Sequence, residues 1–203
     1  MKEEILLEFE ELEILRSKKR WKLYFVVMAE HPTEKDKWIM TTIPNENHGL
    51  IELKPNAENK VYFEPQNAIG ANGLFVLDRD MPRNRRLKVR VFLRHSRDNI
   101  RNAGKLLTDV ENALGDEAYG QVTNLLGRSN PWLVIGQEAV QKVGAILSNI
   151  KDRDFGMITM DEEFGPEFEN QSELDRENKF STGDARLVWS WATRKHVKED
   201  LYT

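Results

Sequence analysis

The residues of this chain best suited to chemistry are carboxylates at alternate positions. Asp78-Arg79-Asp80 and Asp152-Arg153-Asp154 repeat one tripeptide, and Asp161-Glu162-Glu163 follows the second copy. Residues two apart on a strand face the same side, so each copy aims two carboxylates in one direction. Several oxygens gathered at one point suit a hard cation such as Ca2+, which takes six or more. Asp78, Asp80, Asp152, Asp154 and Asp161 are therefore the candidate metal ligands. The structural alternative is that these acids cap helices and pair with Arg79 and Arg153.

A second candidate site is cationic. Arg83 to Lys105 holds nine basic residues against Asp98 alone, whereas Asp152 to Asp184 holds eleven acids against Arg153, Arg176 and Lys179. The overall charge of -4 hides this asymmetry. Such blocks either neutralise each other or face different partners. Leu87, Val89, Val91 and Leu93 alternate with Lys88, Arg90, Phe92 and Arg94, which predicts a half-buried strand with a basic outer face. Lys88, Arg90, Arg94 and Arg97 are accordingly expected to dock an anionic partner.

No enzyme signature is complete. Gly-x-Ser-x-Gly, the Walker A loop and Gly-x-Gly-x-x-Gly are absent. His31, His48, His95 and His196 lack metal-ligand spacing, and His95 falls on the apolar side of its strand, as a satisfied core histidine would. Zero cysteines remove disulfides, zinc–thiolate sites and thiol nucleophiles. A carboxylate pair such as Asp152 and Asp161 leaves a glycan hydrolase as the one enzymatic reading. Nucleic acid is disfavoured by a pI of about 5.7 and by Phe92 being the one aromatic within the basic run.

The elements that must position these residues read mainly as strands. Ile5–Leu15, Trp21–Ala29, Trp38–Ile43, Leu50–Leu53, Val61–Glu64, Leu74–Leu77 and Leu87–Arg97 are separated by Pro, Gly and Asn turns. The period then becomes helical at Ile100, Ala103, Leu107, Val110 and Leu114, stopped by Gly115. Ala118 to Gly127 suggests a second short helix and Val140 to Ile150 a third, with Trp132–Ile135 open to either reading. Strand character returns at Met157–Met160 and at Leu187–Trp191, where Leu187, Trp189 and Trp191 share one face. Core packing is the expected role of these tryptophans, and a sugar platform is the alternative. Glu167–Asn178 is polar enough to read as a loop. The fold class expected is an antiparallel β-sandwich with an inserted helical subdomain: residues 1–98, a helical block 99–150, and closing strands in 151–203.

Asp152-Arg153-Asp154, followed by Asp161 and Gly165, resembles the third calcium-binding loop of C2 domains. The resemblance implies a sandwich that binds anionic membranes with Ca2+, and the basic strand is similar to the lipid-facing strand of that family. The chain departs from the family at its first loop, where Ser17-Lys18-Lys19-Arg20 stands in place of paired acids, and the Ser-Asp-Pro-Tyr signature is missing.

The function expected from these observations is a non-enzymatic binding or assembly module that engages a charged protein partner or another copy of itself. It requires no cofactor. Calcium-dependent binding to anionic membrane is the second reading. No run of 18 apolar residues exists, and Met1-Lys2-Glu3-Glu4 does not open a secretory h-region, so a cytoplasmic location is expected, with a removed leader or another export route left open.

Overall fold

A computed structural model describes residues 2–16, 20–44, 50–53, 59–63, 74–96, 103–123, 131–150 and 152–196. The described residues form an antiparallel β-sandwich of twelve strands in two sheets, with two helices packed on one outer face.

Sheet A is built on the long strand β1 (Lys2–Ile14). One edge of β1 pairs with β12 (Ala185–His196), which in turn pairs with β11 (Glu173–Lys179). The other edge of β1 is shared by β5 (Lys60–Tyr62) and β6 (Leu74–Asp80). Sheet B runs β10 (Arg153–Glu163), β7 (Arg86–His95), β2 (Trp21–Glu30), β3 (Lys37–Ile43), β9 (Trp132–Gly136) and β8 (Ala118–Val122). The short β4 (Ile51–Leu53) pairs with the start of β2.

Alternation along the strands sorts side chains into two cores. Ile5, Leu7 and Phe9 of β1 face Phe25 and Val27 of β2, with Leu187, Trp189 and Trp191 of β12, across the sandwich interior. The sugar-platform alternative for the tryptophans fails here, because both are buried in that core. The opposite face of β2, with Tyr24, Val26 and Met28, is covered by α1 (Ala103–Leu114) and α2 (Val140–Asn149). Leu106, Leu107 and Val110 of α1 and Val140, Val143 and Leu147 of α2 recur at helical spacing and close this second core. Strand β2 is thus buried on both faces, which accounts for its almost continuous apolar run.

Two expectations are corrected. The helix expected at Ala118–Gly127 is a strand in its described part: β8 pairs with β9 at the margin of sheet B. The 99–150 block therefore contributes two strands to the sandwich as well as its helical cover. Glu167–Asn178 is not an irregular loop but α3 (Glu167–Asn170) followed by most of β11. Its polarity is that of an edge strand with little to bury. The start of the first expected helix, and the residues from 124 to 130, lie outside the described residues.

Candidate functional site

The two Asp-Arg-Asp copies sit at opposite ends of the sandwich. Arg79 points inward from β6 and donates to the carbonyls of Glu30 (2.7 Å) and Pro32 (3.3 Å), tying sheet A to the end of β2. Arg153 lies over the Trp21 ring, 5.7 Å from its centroid, at the start of β2. Strand β2, ten residues from Trp21 to Glu30, separates the two sites by about 30 Å at roughly 3.3 Å per step.

The five aspartates consequently do not converge. Asp78 and Asp80 project from the outer face of sheet A, opposite Leu6 and Glu4. Asp152 is buried beside the helical layer and accepts the Tyr24 hydroxyl at 2.7 Å. Asp154 accepts the amide of Gly156 at 2.9 Å and lies 3.6 Å from Arg94 Nη1. Asp161 is at the far end of β10, gripped by Arg86 Nε and Nη2 at 2.6 and 2.7 Å, and this pairing holds its carboxyl below the usual range. The spacing that resembles a C2 loop is thus laid out along a strand. Among the described residues, no group of three or more His, Asp or Glu side chains is placed to hold a metal.

Of the basic residues expected to dock an anionic partner, Arg94 is consumed within the fold, which removes it from that role. Arg94 is wholly buried and donates through Nη2 to the carbonyls of Leu147 (2.7 Å), Asp152 (3.1 Å) and Ile150 (3.4 Å). It satisfies the C-terminal end of α2, where carbonyls have no partner within the helix. Leu87, Val89, Val91 and Leu93 do face the sandwich interior, but the helical layer covers the outer face from Phe92 onward. Arg90 is half-buried, 5.8 Å from the centroid of the Trp38 ring. Lys88 is exposed, with Asp161 opposite it on β10. Arg97 lies outside the described residues. His95 is the core histidine expected: it is buried, edge-on to Trp21, with Nδ1 within 3.2 Å of the Lys22 amide. His31 serves a turn, accepting the amides of Thr33 and Glu34 at Nδ1.

What the sheet registers do bring together is acid. The outer face of sheet A gathers Glu4, Glu8, Glu10, Glu11 and Glu13 of β1, Asp78 and Asp80 of β6, and Glu173, Asp175 and Glu177 of β11. Ten carboxylates thereby meet Lys60, Lys179, Arg186 and Arg194 among the described side chains. Arg186 is the hub: it reaches Glu11 (2.9 Å), Glu13 (2.9 Å) and Glu177 (2.7 Å). Lys60 adds a contact with Glu11 at 3.2 Å. Further along the strands, burial pushes the Glu10 carboxyl up, a hydrogen bond with Ser190 opposes this, and the charges of Asp175 and Glu173 reinforce it. The exposed Tyr62 ring lies beside these acids, opposite Glu11. The interleaved glutamates of residues 2–14 carried this signal in the sequence. The second acidic strand of this face, β11 on the far side of β12, lay in the polar stretch Glu167–Asn178.

The described architecture defines the class: a two-sheet antiparallel sandwich with one helix-covered face and one carboxylate-rich outer face, on which Glu8 is buried and Asp80, Asp175 and Glu177 are exposed. Compared with family models and with curated proteins, the chain matches none. No helix among the described residues is long and apolar enough to cross a membrane.

Proposed function

We propose that this chain is a non-enzymatic binding module that docks a positively charged protein partner on the outer face of sheet A. The observation that carries this reading is the surplus of carboxylates on that one face, set against a basic run in which Arg94 is buried and Arg86 is paired with Asp161 at the surface. A strand-borne surface of this kind is rigid before binding, so little ordering entropy opposes docking. Its charge also steers a cationic partner and repels an acidic one.

The test uses a fluorescent dodecalysine peptide. Binding is expected in 50 mM salt and should weaken at least tenfold by 300 mM, because the shorter screening length removes the attraction. Combined reversal of Asp80, Asp175 and Glu177 to Lys should remove most of the binding. Reversal of Asp116 and Glu138, exposed acids on the helical side, should leave it intact. Equal loss from both sets, or no binding at low salt, would show that the face is not a docking surface.

A further inference from the structure

The edges of the two sheets differ in one respect. At β10 the ladder shifts register between Asp154 and Met157, at β8 between Ala118 and Gln121, and at the β1–β6 pairing between Leu7 and Glu8. Strands β4 and β5 are three residues long. Irregularity, shortness and charged side chains all protect sheet edges from pairing with another chain. Strand β11 has neither of the first two and relies on charge alone, carried by Glu173, Asp175, Arg176, Glu177 and Lys179. It runs seven residues against β12 without a register shift, contains no proline, and among the described residues no strand pairs with its other side.

Side chains decide what such an edge accepts. Asp175 and Glu177 are exposed and belong to the outward acidic face. On the inward side Arg176 is held by Glu162 at 3.0 Å and Glu167 at 2.9 Å, which fixes the strand against the sandwich. Two copies pairing antiparallel about Arg176 would set Arg176 against Arg176 and Asp175 twice against Glu177. Only Glu173 and Lys179 at the ends would attract, so this self-pairing is disfavoured. A strand with Lys or Arg opposite Asp175 and Glu177 meets no such penalty.

We propose that β11 is a strand-addition site, at which an extended segment of a partner bearing Lys or Arg at alternate positions extends sheet A. The proposal rests on the reading of sheet A as a docking face for cations and adds the backbone mode of recognition. In that mode main-chain hydrogen bonds supply affinity and alternate side chains supply specificity.

The experiment compares three nine-residue peptides in which Lys alternates with Thr and Val. One is unmodified, and the other two carry N-methyl groups on one or the other alternate set of backbone nitrogens. Charge is equal in all three, but each methylated set removes the donors along one edge. Methylation of one set is expected to weaken binding at least tenfold while the other set stays within twofold of the parent. Alternate β11 amides should also slow in hydrogen exchange when the parent peptide is bound. Equal effects of the two sets, large or small, would overturn strand addition, and retained binding by both would leave the acidic-face reading standing. If none of the three peptides binds in 50 mM salt, that reading falls, and strand addition falls with it.

Discussion

Arg94 Nη2 stands 2.7 Å from the carbonyl oxygen of Leu147, joining the central sheet to the last turn of the helix that covers it. One guanidinium serves three carbonyls, so the helical layer and sheet B are held by a polar bond as well as by the apolar contacts around it. Arg94→Ala should therefore destabilise by about 3 kcal/mol or more, since it removes the partner of several buried groups and leaves a cavity. Arg94→Lys should recover little of this, because an ammonium lacks the planar fork. Urea denaturation measures both. A variant as stable as the parent would show that Arg94 is not a structural group.

Tyr24 and Asp152 make a buried hydrogen bond of 2.7 Å in the same layer. Tyr24→Phe keeps the ring in the helix-side core and removes only the donor. The expected loss is about 1–3 kcal/mol, the cost of leaving a buried acceptor without its donor, again read by urea denaturation.

Gly156 is the position where the backbone of β10 depends on having no side chain. Its φ is +94°, and a Cβ there would lie 2.3 Å from Ser181 Oγ and 2.9 Å from the Thr182 amide nitrogen. The Ser181–Thr182 turn plugs the bulge: Ser181 Oγ accepts the Met157 amide, and Thr182 Oγ1 donates to the Phe155 carbonyl. Gly156→Ala should cost about 1–3 kcal/mol through backbone strain and should speed proteolysis near residue 181. Thermal melts with limited proteolysis check this. An unchanged melting temperature would contradict it.

Glu10 gives a pH dependence of defined sign. Burial holds its folded-state pKa above the ordinary value, with Asp175 and Glu173 adding to the effect. The folded chain therefore binds this proton more tightly than the unfolded chain. Its contribution to stability is fullest at pH below the ordinary glutamate value and is lost as pH rises through the higher folded-state value. Glu10→Gln should melt higher than the parent at pH 7, on the scale of about 0.5 kcal/mol expected for partly exposed charges. The difference should shrink towards pH 4. A lower melting temperature for the variant at pH 7 would reverse the assignment.

Much of the fold is legible in local pattern. Period two in Leu87–Arg97, the short continuous apolar run of Trp21–Ala29, and period 3.6 in Leu106–Leu114 and Val140–Leu147 name the element types because each pattern has one geometry that buries its apolar positions. The acids of β1 are equally visible, alternating with Ile5, Leu7 and Phe9. What local pattern misjudged has a shared cause. Glu173–Lys179 carries almost nothing apolar, so no periodicity marks it, and its strand state comes from hydrogen bonds to β12. Ala118–Val122 likewise owes its extended form to β9.

The repeated Asp-Arg-Asp shows where the boundary between local and tertiary information falls. Composition and alternation determined an antiparallel sandwich with charge sorted to particular segments, because hydrophobic spacing acts over a few neighbouring residues. Only the tertiary structure decided that the two copies lie at opposite ends of β2, that Arg94 turns into the fold, and that the glutamates of β1 lie across from those of β11. Each of these depends on which strands become neighbours, and strand pairing is set by contacts between residues far apart in the chain.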